Sequence, residues 1–494
     1  MVLAESAASL SSFQNQSTSM AKDIIDDSQV SPPPHSVTPT ILPLTFLDLQ
    51  WFFSRHATRI FFYQFPHPTQ HFLKTALPIL KHSLSLTLQH FFPFASNLIV
   101  PPQPRFPYIR YLDGDSLSFT VAESVADFTT LTSDSPQDVN DWQPLVPVLP
   151  SPRTMHDGTC EFPLMAIKVT VIPNSGFSIC VIFNHVAGDG RTLHHFMKFW
   201  ASVCKSKGDL ASLQAFGSLS LPFHDRDIVN DPKGLKLIYL QDMRNLMSQS
   251  TQFAGILRRV SADKVRANLT FDREQAERMK RWVYLKCNNN SHGSSGTLHI
   301  STFVVTCSLM WVCMIKSELK EKEGSYVTEE YYDEPCNLAF SADCHDHPQF
   351  LLPSNYFGNC LVPLVTSVKR SALEGENGVI VAAKAIERMI RGFKIDALSG
   401  AETVMSDFRE LVKSGQSLVV IVGSPKLTAY NTDFGWGKPR KSEVVNLDSV
   451  GTISLTDCRD TQGGVQVGIA LERIRMTNFT NIMEQQLSNI AVRD

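Results

Sequence analysis

The stretch FSICVIFNHVAGDGRTLHHFMKFWASVC (Phe177–Cys204) decides how the chain is read. It opens as an almost continuous apolar run, passes Asn184 into the small-residue segment from Val186 to Gly190, and continues with apolar residues at helical spacing. Leu193, Phe196, Met197, Trp200, Val203 and Cys204 share one helical face, so a buried strand, a tight turn and a docked helix follow one another. His185 stands where the strand ends. Gly188 and Gly190 leave little bulk beside it, and an imidazole with an ordinary pKa of about 6.5 accepts a proton at neutral pH. Two roles are open to Asp189: a carboxylate that orients the imidazole, or a residue that points away and holds the turn through an ion pair. Spacing does not choose between them. His194 and His195, inside the docked helix, read as packing or surface residues rather than ligands.

On the N-terminal side, Phe72–Ser96 carries leucines at helical spacing, and Phe106–Phe128 and Pro163–Ile172 read as strands bounded by Asp-Gly and Pro turn chemistry. Ser31–Phe53 is a proline-punctuated entry into this region, and residues 1–30, rich in Ser, Gln and Ala, read as a mobile tail in which Met20 is an alternative start. On the C-terminal side, residues 206–240 are turn-rich and weakly periodic, which suits a crossover between two domains, 31–205 and 241–494. Val265–Phe271 then reads as a strand, Asp272–Lys286 and Leu298–Ser317 as helices separated by the polar loop 288–296, Gly378–Phe393 and Ser399–Gly415 as helices, and Val444–Asp457 and Gly463–Leu471 as strands. The fold class is α/β.

At 494 residues and 43% hydrophobic content the chain has material for a large core. Its 45 Lys and Arg stand against 48 Asp and Glu, so no broad basic field is present for a nucleic-acid backbone. Ten cysteines are scattered from Cys160 onward without a Cys-x-x-Cys pair, which indicates neither a metal knuckle nor a disulfide scaffold and suits a reducing, cytoplasmic setting. No signal-peptide pattern opens the sequence, and no apolar run is long enough to span a membrane.

A second informative segment is Asp433-Phe434-Gly435-Trp436-Gly437, in which two aromatics and two glycines follow an acid. It reads as a tight structural loop packed under aromatic rings. Together with the His185-x-x-x-Asp189 segment, and in the same order and separation, it resembles the paired motifs of the plant BAHD acyltransferase family. Asn355-Tyr356-Phe357-Gly358-Asn359-Cys360 is similar to the motif of the branch that acts on flavonoid, anthocyanin and other phenolic glycosides. Leu42–Phe52, the segment from Phe61 to Leu98, Ile300–Ser317 and Gly423–Tyr430 also look like that branch, so the resemblance covers most of the chain from Ser31 onward.

The resemblance implies two similar chloramphenicol-acetyltransferase-like domains with mixed sheets and a channel between them, entered by coenzyme A from one face and by the acceptor from the other. It implies a monomer with no permanently bound cofactor and no metal, in which His185 acts as general base and Asp189 supports it. The co-substrate is an acyl-CoA, malonyl-CoA favoured, with a hydroxycinnamoyl-CoA as the alternative donor and a sugar hydroxyl of a phenolic glycoside as acceptor. A non-catalytic binding protein of the same fold is the competing reading from another class. Ser301 and Thr302 open a helix after a loop, where unpaired N–H groups favour phosphate oxygens, and Lys264 and Ser424 match positions near the family's coenzyme A channel, with an ordinary helix cap and surface polar residues as the alternative. Arg191 is the candidate for the free malonyl carboxylate, and Cys360 is an unfavoured covalent nucleophile because no base is paired with it. The sequence departs from the family at Ser341-Ala342-Asp343-Cys344-His345, where His345 occupies the place of an Arg that ordinarily holds the motif Asp. How Asp189 is held is thereby open: a protonated His345, another Arg in its place, or a looser turn are the alternatives.

Overall fold

A computed structural model describes residues 21–215, 217, 220–248, 263–289, 299–321, 329–447 and 451–491. Two mixed sheets carry the architecture. The first has six strands in the order Ala21–Val30, Leu117–Ser124, Met165–Ile172, Gly176–Phe183, Ala57–Gln64 and Lys441–Val444. Its central strands Met165–Ile172 and Gly176–Phe183 are buried at every position but Lys168, the pattern expected when both faces of a sheet are covered. The helices Thr69–Leu88 and Gly190–Lys205 pack in the core built on it, through Phe72, Leu80, Leu84, Phe196, Met197 and Trp200.

The second sheet has seven strands, ordered Leu361–Lys369, Pro335–Asp343, Leu418–Gly423, Thr452–Asp457, Val465–Glu472, Lys264–Phe271 and Gln137–Asp138. Its core includes side chains of Arg273–Asn289, Thr302–Glu321, Gly378–Ile395 and Arg473–Ala491, among them Trp311, Met310, Ile386 and Phe479. A small antiparallel sheet of five short strands runs from Thr40–Pro43 to Arg153–Thr154. Each main sheet ends on a strand contributed by the other half of the chain: Lys441–Val444 pairs with Ala57–Gln64, and Gln137–Asp138 with Lys264–Phe271.

Three features differ from the sequence reading. The tail expected over residues 1–30 is shorter, because Ala21–Val30 forms an edge strand antiparallel to Leu117–Ser124; residues 1–20 lie outside the described residues. Backbone pairing, burial of Val30 and an ion pair from Asp26 to Lys81 Nζ at 2.6 Å hold a segment whose composition is polar. The crossover expected over residues 206–240 contains the helix Leu210–Ala215 and the start of Leu235–Ser248. Asp231 begins that second helix by accepting from the Leu235 and Lys236 N–H groups at 2.8 Å each. Leu235, Tyr239, Leu240 and Met243 pack into the first core, so this helix stays with the N-terminal half although its sequence follows the expected crossover. The closing helix Arg473–Ala491, packed through Met476, Phe479, Ile482, Met483 and Ile490, lies beyond the elements read from the sequence. The polar loop over 288–296 falls almost wholly outside the described residues. Among the described residues no helix is long and apolar enough to cross a membrane.

Candidate active site

The strand Gly176–Phe183 delivers the chain to Asn184, whose side-chain oxygen accepts the Val186 N–H at 3.1 Å and starts a single tight turn, His185–Ala187. Asp189 then caps the helix Gly190–Lys205 by accepting the Thr192 N–H at 3.0 Å. Its other oxygen accepts the Cys360 N–H at 3.0 Å, and the hydroxyl of Thr192 donates to the Gly358 carbonyl at 2.9 Å. The turn is thus laced to the segment Gly358–Cys360 from the far half of the chain. Gly188 is required by space, since a Cβ there would meet the Thr192 side chain at 2.7 Å.

His185 finds a different partner. Its Nδ1 lies 3.1 Å from Asn359 Oδ1, and Asn359 Nδ2 donates to the His185 carbonyl and to Asp48 Oδ1, each at 2.9 Å. With its amide nitrogen committed to two acceptors, Asn359 presents only its oxygen to the ring. The proton of neutral His185 therefore sits on Nδ1 and the Nε2 lone pair is free. Asp48 is itself fixed by Arg226, which donates to it at 2.6 Å with both side chains fully buried and also donates to the Ala187 carbonyl at 3.2 Å. Thr45 and Asp48 close a reciprocal capping box at the short helix Phe46–Leu49. Just beyond that helix, Trp51 stacks on the imidazole with ring centroids 4.1 Å apart and planes 22° apart. Burial pushes the His185 pKa below its ordinary value, with the charge of Asp189 opposing the shift, so the imidazole is neutral at neutral pH.

His185 lines a channel of about 3430 Å³ whose walls come from both halves of the chain. Asp189, Arg191, Lys264, Ser301, Thr302 and Ser424 line the same space. The two serines serve as caps there: Ser301 accepts the Val304 N–H at 3.3 Å and Ser424 the Lys426 N–H at 3.2 Å. His194 is buried on the wall with Nδ1 2.7 Å from the Gly190 carbonyl, and His195 Nε2 lies 2.7 Å from the Ser220 carbonyl.

Arg191 lines the channel with its Nη2 donating to Asp343 Oδ2 at 2.5 Å. His345 is not what holds Asp189. Its Nδ1 lies 2.6 Å from Asp343 Oδ1, and the Asp343 carboxylate raises its pKa to about 10 against the opposing effect of burial. Asp189 needs no cationic partner because backbone N–H groups satisfy both of its oxygens. Cys360 is buried and burial pushes its thiol far above the ordinary range, the reverse of a reactive nucleophile.

The loop Asp433–Gly437 lies outside the channel wall. Asp433 accepts from the Gly435 and Gly437 N–H groups at 2.8 and 2.9 Å and pairs with Lys205 at 2.6 Å. Phe434 packs edge-on against Trp200 and Tyr63, and Trp436 against Phe177 and Phe65. The loop thereby clamps the docked helix to the first sheet. Sequence reasoning had no independent signal for Asp48, Asn359 or Arg226; only the quoted motifs around the first two marked their segments.

A model of the Transferase family matches residues 21–486. The chain is 39% identical to the Arabidopsis thaliana coumaroyl-CoA:anthocyanidin 3-O-glucoside-6''-O-coumaroyltransferase 1, over 95% of this chain and 98% of that one. It is 34% identical to the Dahlia pinnata malonyl-coenzyme A:anthocyanin 3-O-glucoside-6''-O-malonyltransferase, over 94% and 97% of the two chains. A BAHD acyltransferase of Arabidopsis thaliana is 31% identical over 94% and 98%. Among solved structures, vinorine synthase superposes with a TM-score of 0.64 at 17% identity, covering 93% of this chain and 96% of that one. F. graminearum TRI101 complexed with coenzyme A and T-2 mycotoxin does so with a TM-score of 0.62 at 13% identity, covering 90% and 97%. These two likenesses speak for the fold, two α/β halves with mixed sheets.

Proposed function

The chain belongs to the Transferase family of BAHD acyltransferases and is an acyl-CoA-dependent O-acyltransferase, and from that premise we propose that it acylates a sugar hydroxyl of a phenolic, flavonoid or anthocyanin glycoside with His185 as general base. The observation that supports the mechanism is the His185–Asn359 contact, which puts the proton on Nδ1 and leaves Nε2 the basic nitrogen of a channel-lining ring. Nε2 takes the proton of the acceptor hydroxyl as its oxygen attacks the thioester carbonyl carbon. The tetrahedral intermediate collapses with cleavage of the C–S bond, and the proton held on Nε2 passes to the departing coenzyme A thiolate. No acyl-enzyme forms. Lys264, Ser301, Thr302 and Ser424 are proposed to face the coenzyme A portion of the donor, and Asp189 is a positioning residue for the turn.

The donor proposed is a hydroxycinnamoyl-CoA. Arg191, the candidate for a malonyl carboxylate, has its charge paired with Asp343, while Trp51 and Phe183 give the base an aromatic surround. The coumaroyltransferase relative points the same way, and the malonyltransferase relative keeps malonyl-CoA as the second reading. A cytoplasmic monomer is the proposed working form, since one chain supplies both walls of the channel and none of its ten cysteines is in a disulfide. Coumaroyl-, malonyl- and acetyl-CoA incubated with the protein and a panel of flavonoid, anthocyanin and simple phenolic glucosides, with mass detection, tests the reading. A coumaroyl ester of a glucoside is expected. Malonyl esters alone would replace the donor, and no ester on any glucoside would remove the acceptor class.

A further inference from the structure

Behind the channel wall, where the strand pair Pro335–Asp343 and Leu361–Lys369 runs out, four donors converge. Cys344 and Cys360 face each other across the ladder, joined by a Cys344 N–H to Cys360 carbonyl bond at 3.1 Å, with their sulfurs 2.7 Å apart. His345, only 2% exposed, completes the group: one of its ring nitrogens, a carboxylate oxygen of Asp343 and the Cys360 sulfur all lie within 4.8 Å of one another. The Nδ1 of His345 is committed to Asp343, which leaves Nε2 buried with no hydrogen-bond partner. The buried imidazole thus meets Asp343 on one side and the Cys360 thiol of a contacting thiol pair as its other neighbour, and the reaction uses none of these three side chains.

We infer that Cys344, Cys360 and His345 Nε2 form a site for a thiophilic divalent cation, Zn²⁺ foremost, with Asp343 as the outer carboxylate that orients the imidazole. Two sulfurs and one imidazole nitrogen are a donor set that Zn²⁺ selects, and a carboxylate on the far ring nitrogen is the usual support of a zinc-bound histidine. Bond lengths of about 2.3 Å to sulfur and 2.0–2.1 Å to nitrogen require the sulfurs to part by roughly 1 Å, which two residues at strand ends permit. As the two S–Zn bonds form, both thiol protons leave to solvent, along with any proton on Nε2, and no electron transfer is involved. Asp189, which accepts the Cys360 N–H, and Asp343 place two carboxylates around the added charge. The bound ion would fix the Asn359–Cys360 segment, and with it the Asp189 cap and the His185 partner.

The test uses the full chain, reduced and freed of metal, titrated with Co²⁺ as spectroscopic probe and then with Zn²⁺. One equivalent of Co²⁺ should give thiolate-to-cobalt charge-transfer absorption that one equivalent of Zn²⁺ abolishes. Cys344→Ser should lose most of that band, and His345→Gln should weaken Co²⁺ binding at least tenfold. Cys360→Ser is informative if it melts cooperatively; if it does not, the other two variants decide. Absence of the band in reduced protein overturns the site, as does an unchanged band in both Cys344→Ser and His345→Gln. So does a Cys344–Cys360 pair found oxidised in air whose reduction confers no uptake of cobalt.

Discussion

His185 Nδ1 lies 3.1 Å from Asn359 Oδ1, whereas Asp189, the other residue of its motif, turns away and accepts the Cys360 N–H at 3.0 Å. The residue that sets the tautomer of the base therefore comes from the opposite half of the chain, and the motif acid holds the turn. The two interactions separate chemistry from scaffolding, and each has its own consequence on substitution.

Removing the base tests the chemistry. His185→Ala should lower kcat by roughly 10²-fold to 10⁴-fold, the usual contribution of a positioned acid-base group, with a cooperative melt retained. Steady-state kinetics beside a thermal melt check both parts. A folded variant with full turnover would refute the assigned role.

The buried Arg226–Asp48 pair supports Asn359 from behind. Arg226→Met leaves the Asp48 carboxylate without its charged partner in the core, an arrangement that costs about 3–5 kcal/mol. Denaturant unfolding should register a loss of that size. A change below about 1 kcal/mol, within the range of ordinary surface substitutions, would show that the pair is dispensable.

Phe434 is buried between Trp200 and Tyr63 and does not line the channel. Phe434→Ala should cost about 3–5 kcal/mol while leaving the ratio of coumaroyl to malonyl transfer unchanged. Trp436→Ala, at a more exposed ring, should act in the same direction by less. An unaltered melting temperature with a switched donor would place the loop at the reacting end.

Arg191 is held by Asp343 at 2.5 Å. Asp343→Asn releases the guanidinium, so malonyl transfer should rise relative to coumaroyl transfer, as a freed fork pairs with a carboxylate. Product ratios from a mixed-donor incubation read this directly. An unchanged ratio would mean that Arg191 does not face the acyl group.

The sequence carries what is local and loses what is distant. Strand, turn and helix around His185 are legible because periodicity, glycines and the Asp189 cap lie within one stretch of chain. The partners that finish the site are separated by 174 positions for His185 and Asn359 and by 178 for Asp48 and Arg226, distances over which no spacing rule operates. His345, standing where the family has an Arg, was one of three alternatives for holding Asp189. It lies instead against Asp343, two residues earlier, because Asp189 is already satisfied by backbone donors. The edge strand Ala21–Val30 escaped notice for a related reason: what orders it is the ladder to Leu117–Ser124, not its composition.

The pH dependence of kcat/KM, measured side by side for the native protein and Asn359→Asp, addresses the base and its orienting partner in one experiment. Burial holds the native His185 pKa below its ordinary value, so activity should be full at neutral pH and fall only as acid protonates Nε2 at a pH under about 6.5. A carboxylate in place of the Asn359 amide stabilises the imidazolium, raises that pKa and should move the acid limb to higher pH while retaining activity on the alkaline side. Superimposable acid limbs in the two proteins, or an acid limb absent from both, would contradict His185 as a general base oriented by Asn359.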